Sequence, residues 1–109
     1  HQFVRIGAHA MTAMCSLLFA DVPPFVMCQG QPAAGRSMNF EGLRRRGFSA
    51  ERIGAVKAMH KALYRDELTL AQARDAIAAL PERFPEAVPD VQSMCTFLDG
   101  VSAQRGIVR

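Results

Sequence analysis

From residue 49 to about 101 apolar positions recur every three or four residues, whereas before residue 35 they crowd together with small residues. Spacing of three and four puts side chains on one face of a helix. It predicts a helix from Ser49 to about Arg65, with Ile53, Val56, Met59 or His60, and Leu63 facing inward. Ser49 suits the N-cap, and Glu51 complements the positive end of the helix dipole. A second helix opens at Thr69, where Thr-Leu-Ala-Gln through Gln72 has the pattern of a capping box. It turns Ala73, Ile77 and Leu80 to one side and ends at Pro81. A third starts at Pro89-Asp90, turns Val91, Met94, Phe97, Leu98 and Val101 inward, and is stopped by Gly106. A short helix over Phe40–Arg46, closed by Gly47, precedes all three. The prediction is a small bundle of antiparallel neighbours.

The front of the chain follows a different pattern. Residues 6–11, 12–17 and 18–23 read as six-residue units, with Ile6 and Leu18 at first positions and small Ala10 and Ser16 at fifth positions. Thr12 fits poorly. A short repeat with small residues at fixed places points to a hexapeptide β-helix, whose tight corners favour small side chains; a pair of ordinary strands is the alternative. In "DVPPFVMCQGQPA" the Pro23-Pro24 pair cannot donate ladder hydrogen bonds, and Gly30 and Pro32 mark a turn. This reads as the exit from a strand stack. A β-helix needs a cap over its last coil, and the helical half can supply it. The expected division is 1–38 for the final coils and exit, and 39–109 for the helical part.

Composition narrows the possibilities little. The chain has 109 residues, half of them hydrophobic, with a net charge of +3. That charge fits an acidic protein partner or a phosphate ligand as well as nucleic acid. No DNA-binding motif or RNA-stacking aromatic set accompanies it, so no nucleic-acid partner is expected. No apolar run approaches the roughly 20 residues of a membrane span. Cys15, Cys28 and Cys95 are odd in number and widely spaced, which reads as reduced thiols of a cytoplasmic protein. Neither they nor His1, His9 and His60 show metal-ligand spacing, so no metal or cofactor is expected. His9 and His60 read as structural.

Three stretches carry a resemblance. The "DVPP" exit resembles hexapeptide-repeat acyltransferases in general, while "HQF" ahead of a Met-rich hexad and above all "NFEGLRRRGFS" (Asn39–Ser49) resemble the C-terminal part of the bacterial UDP-N-acetylglucosamine O-acyltransferases, which open lipid A synthesis. The likeness runs to the closing "RGIVR". It implies a left-handed parallel β-helix of hexapeptide repeats followed by a C-terminal α-helical bundle, assembled as a homotrimer with active sites between subunits. It implies transfer of a 3-hydroxyacyl group from acyl carrier protein to the 3-hydroxyl of UDP-N-acetylglucosamine. The family's general base, a histidine, lies upstream of the matched segment. His1 matches a different histidine of the substrate site.

By that resemblance His1, Gln2, Asn39, Glu41, Arg45 and Arg46 are substrate-binding residues, the arginines for the nucleotide. Guanidinium forks suit phosphate oxygens. Successive helical residues point about 100° apart, so three arginines cannot serve one phosphate, and Arg44 matches no assigned contact. Apart from the family, Asn39 reads as a helix N-cap, Glu41 as a dipole partner, Gln2 as a surface amide and the arginines as a solvated basic turn. Met14 stands where the family has Gly in enzymes that accept long acyl chains and Met in those that accept shorter ones. It would end the acyl groove and favour a 3-hydroxydecanoyl donor; the alternative is that it fills the β-helix core. Lys57, Lys61 and Arg65 form a basic stripe that would dock the acidic carrier protein, or else a solvated helix face. Gln31, where the family usually has Asn, and Gly35-Arg36-Ser37 depart from the pattern.

On this reading the opening residues enter a repeat already under way, and activity needs coils upstream of His1. Two other readings compete. One is a non-catalytic capping and trimerisation piece that binds ligand; the other is a hexapeptide acyltransferase using acyl-CoA.

Overall fold

The structure, a computed structural model, describes residues 1–109. Strands occupy its first third and helices the rest. β1 (Met11–Thr12), β2 (Val26–Gly30) and β3 (Ala33–Met38) form one sheet in the order β1-β2-β3. β1 lies parallel to β2, with Met11 beside Met27 and Thr12 beside Cys28. The same offset pairs Ile6 with Val22. Successive passes of chain therefore stack in parallel at an interval of sixteen residues, two fewer than three six-residue units would give.

The segment after Pro24 does more than leave the stack. It forms β2, and β3 returns antiparallel to it around Gln31 and Pro32, from Gly30 beside Ala33 to Val26 beside Met38. β3 thus covers the edge that β2 would otherwise expose. Val26 and Cys28 point into the core while Gln29 points out, the two-residue period of a half-buried strand.

The helices follow their local signals at the starts. Asn39 caps α1 (Phe40–Arg45), accepting a hydrogen bond from the Gly42 N–H at 3.2 Å. Gly47, in the left-handed region, follows the cap. Ser49 caps α2 (Ala50–Tyr64) through the Arg52 N–H, and Arg65 closes it. The Thr69–Gln72 capping box forms in both directions at the start of α3 (Leu70–Ala78). Two 3-10 turns, Leu80–Glu82 and Pro85–Ala87, then lead into α4 (Val88–Asp99).

The end of α4 is a correction. Gly100, not Gly106, stops the helix. The Ser102 hydroxyl accepts from the Gln104 and Arg105 N–H groups and holds a turn. Gly106, with φ 68°, then swings the chain back so that Ile107 pairs with Asp21. Asp21 N–H donates to the Gly106 carbonyl at 3.1 Å, and Val108 N–H to the Asp21 carbonyl at 2.8 Å. Phe97 also differs from expectation. It is only half-buried, because its ring lies under the Arg5 guanidinium, 4.3 Å away.

α3 packs against both α2 and α4. Val56, Met59 and Leu63, Ala73, Ile77 and Leu80, and Val91, Met94 and Leu98 supply the helical side of the core. Val22, Phe25, Val26, Cys28 and Met38 supply the strand side, and Ile107 and Val108 close it. One continuous core joins the two segments. Apart from Val88, the large apolar residues left exposed gather at the front: Phe3, Ile6, Met11, Met14, Leu17 and Phe19.

Candidate functional site

Asn39, Glu41, Arg45 and Arg46 come together because one short helix carries them all. Asn39 fixes where that helix starts. Its backbone N–H donates to the Phe25 carbonyl at 2.7 Å, and its side-chain Nδ2 donates to the His9 carbonyl at 3.1 Å. Its Oδ1 accepts from Gly42. A Cβ at residue 42 would meet the Asn39 Nδ2 at 2.5 Å, so glycine there is what lets the amide fold back over the helix. After these bonds the amide keeps one N–H and one lone pair for a ligand. Glu41 and Arg45 pair at 3.2 Å, one turn apart and well exposed. Such a surface pair is worth little to stability and is readily rearranged. Arg44 and Arg46 are exposed and form no ion pair. α1 and its caps therefore present three guanidiniums, one of them paired with a carboxylate, and an anchored amide.

His1 and Gln2 lie elsewhere. They line a cleft of about 400 Å³ with Phe3, Phe19 and the Ser102–Arg105 turn. Arg105 enters it from the C-terminal segment, bonded to the Phe3 carbonyl and to Asp21. The residues of α1 do not reach this cleft.

Met14 is 85% exposed and lies outside the buried core. It sits in a turn with Cys15, whose carbonyl accepts from Gln31 Nε2 at 3.0 Å. The longer amide of Gln31 thus ties the neighbouring pass of chain to the Met14 turn.

Lys57 and Lys61 line a groove of about 440 Å³ floored by Ala62, Leu80 and Phe84. Arg83, which no sequence pattern singled out, joins them, and Asp66 offsets part of the charge by pairing with Lys61 at 3.4 Å. Lys57 also stands over the Phe40 ring, 5.9 Å from its centre. Arg65 does not line the groove.

Four other titratable groups are shifted by burial. Burial, with Arg65 nearby, pushes the His60 imidazole down, and its ring leans on Tyr64 at 5.5 Å. Burial pushes the Tyr64 phenol up, and the phenol donates to the Val108 carbonyl. Burial likewise raises the Cys28 and Cys95 thiols. His9 has partners that its sequence context did not reveal: its ring stacks on Phe25 at 5.9 Å and meets the edge of Phe48 at 5.2 Å. No helix is long and apolar enough to cross a membrane.

Comparison with known proteins gives this geometry a context. The model of the family described as UDP-N-acetylglucosamine O-acyltransferase, domain 2, matches residues 21–108. The chain is 69% identical over its whole length to an acyl-[acyl-carrier-protein]–UDP-N-acetylglucosamine O-acyltransferase of Albidiferax ferrireducens, and 52% identical to that of Verminephrobacter eiseniae. In each case it spans 41% of the relative's length. Among solved structures it resembles LpxA from Acinetobacter baumannii, with a TM-score of 0.89 and 36% identity. It likewise resembles the UDP-N-acetylglucosamine O-acyltransferase from Moraxella catarrhalis, with a TM-score of 0.88 and 33% identity. Each structural match covers the whole chain and 40% of the other protein. The chain belongs to the UDP-N-acetylglucosamine O-acyltransferase family.

Proposed function

We propose that this chain is the C-terminal part of an enzyme that moves a 3-hydroxyacyl group from acyl carrier protein to the 3-hydroxyl of UDP-N-acetylglucosamine, in lipid A biosynthesis. In that reaction the thioester C–S bond breaks and a C–O ester bond forms. The hydroxyl proton leaves through a general base, and the carrier's thiol is released. The base is a histidine upstream of His1. The chain alone contributes binding surface and does not turn substrate over.

The observation that carries this reading is the composition and anchoring of α1. Asn39, tied to the coil by two hydrogen bonds, starts a helix that offers Glu41, Arg45 and Arg46 to solvent. Guanidiniums suit the diphosphate, and the amide and carboxylate suit uracil and ribose edges. His1 and Gln2 complete the substrate site from another subunit's side of a cytoplasmic homotrimer. The apolar row from Phe3 to Phe19 is then covered by upstream coils and neighbouring subunits. Residues 1–38 form the last coils of a left-handed hexapeptide β-helix, and residues 39–109 form its helical domain. Met14 limits acyl length, and Lys57 and Lys61, with Arg65 at the margin, dock the carrier protein.

The test is a transfer assay on the full-length protein with 3-hydroxyacyl carrier protein and UDP-N-acetylglucosamine. The reading expects 3-O-acylated nucleotide sugar from the carrier-bound donor and little from the acyl-CoA. Equal turnover with the CoA thioester, or none with either donor, contradicts it.

A further inference from the structure

His9 and Phe25 occupy equivalent places on successive passes of the chain, sixteen residues apart like the pairs Ile6–Val22 and Met11–Met27. Both have left-handed backbones, with φ of 59° and 71°. That conformation is uncommon for a residue with a side chain, and it persists only where the surroundings fix it. Here the two rings stack at 5.9 Å and nearly parallel, 8° apart, and Phe48 closes on both edge-on. Both residues offer a carbonyl to the same partner. Asn39 spans them, its backbone N–H on Phe25 and its side chain on His9.

His9 therefore touches both ends of α1. Its carbonyl holds Asn39, just before the helix, and its ring abuts Phe48, just after it. Phe48 also lies against the Arg52 guanidinium at 3.8 Å, which makes two 2.8 Å hydrogen bonds to the buried Asp90.

We propose that His9 is a positioning residue for the nucleotide-sugar site, setting the orientation of α1 by clamping Asn39 with its carbonyl and Phe48 with its ring. This rests on the reading of α1 as that site. The ring acts by shape, so an aromatic replacement serves. Phe at residues 3 and 25 already adopts the same left-handed backbone in this fold.

The test measures KM and kcat of the full-length enzyme for both substrates in His9→Ala, His9→Phe, His9→Asn and Asn39→Ala. His9→Ala should raise KM for UDP-N-acetylglucosamine about tenfold, with kcat and the donor KM within about twofold of wild type. His9→Phe should restore most of the loss. His9→Asn, which tolerates the left-handed backbone but lacks the ring, should behave like His9→Ala, and it decides the matter if the alanine variant does not fold. An unchanged sugar KM in the ring-less variants, an equal rise in both KM values, or failure of His9→Phe to rescue overturns the proposal. Asn39→Ala separates the two levels. If it raises the sugar KM while the His9 variants do not, only the role of His9 falls. If it too leaves the sugar KM unchanged, the reading of α1 falls.

Discussion

The guanidinium of Arg105 reaches the carboxylate of Asp21 at 3.0 Å, joining positions 84 residues apart. Asp21 is fully buried and also accepts from the Arg5 N–H and the Arg5 Nε. Arg5 reaches on to the Phe97 carbonyl at 2.8 Å. One carboxylate thus ties the first pass of chain, α4 and the C-terminal segment together. Asp21→Asn keeps the shape and leaves two arginines without their anion. We expect a loss of roughly 3 kcal/mol in unfolding free energy, the scale for breaking a buried pair. Hydrogen exchange should show the largest loss of protection at Val108, with the best-protected amides of α2 and α3 falling only by the global amount. Unchanged exchange at Val108 would show that Asp21 does not hold the tail.

Met14 is exposed on a turn that Gln31 ties to the next pass of chain. On the proposed reading it closes the end of an acyl groove between subunits. A donor longer by four methylenes loses their burial there, about 0.8 kcal/mol each. The wild-type full-length enzyme should prefer the 3-hydroxydecanoyl over the 3-hydroxytetradecanoyl donor. Met14→Gly should shift that preference toward the longer chain by about tenfold or more in a competition assay. A preference unmoved by the substitution would remove Met14 as the ruler.

The groove beside α2 gathers Lys57, Lys61 and Arg83 over an apolar floor, a surface complementary to an acidic partner. Reversing charge at Lys57 and Lys61 should raise the carrier-protein donor KM about fivefold or more, with the sugar KM unchanged. The effect should shrink as salt is added. Arg83→Glu should do the same, and Arg65→Glu less. Donor kinetics indifferent to all four would take the groove out of carrier docking, and an Arg65 effect as large as that of Lys57 would favour the simple helical stripe.

Sequence reading located the helix starts because their determinants are local. Ser49, Thr69 and Asn39 each bond a backbone N–H within three residues. The end of α4 was hidden because it depends on a distant partner: Gly106 serves the pairing of Ile107 with Asp21, not the helix. β3 was equally obscure. Gly35 looks like a departure from an apolar link, yet a Cβ there would come within 2.9 Å of the Tyr64 ring, contributed by a helix beyond the turn. His9 gave no signal on its own, since its link to Phe25 follows from a sixteen-residue register that a six-residue count obscures. Arg83 falls outside the i, i+4 stripe and reaches the groove only through the 3-10 turn after α3. α1 was the most legible part, because its chemistry is contiguous in sequence.

The central claim is that α1 binds the nucleotide sugar through Arg45 and Arg46 and not through Arg44. The most direct measurement is calorimetric titration of UDP-N-acetylglucosamine into the full-length protein and its Arg44→Ala, Arg45→Ala and Arg46→Ala variants. The account predicts affinity losses of about tenfold or more for Arg45 and Arg46, the scale of a charge-assisted contact, and less than about twofold for Arg44. Equal losses at all three positions, or none at Arg45 and Arg46, would contradict it.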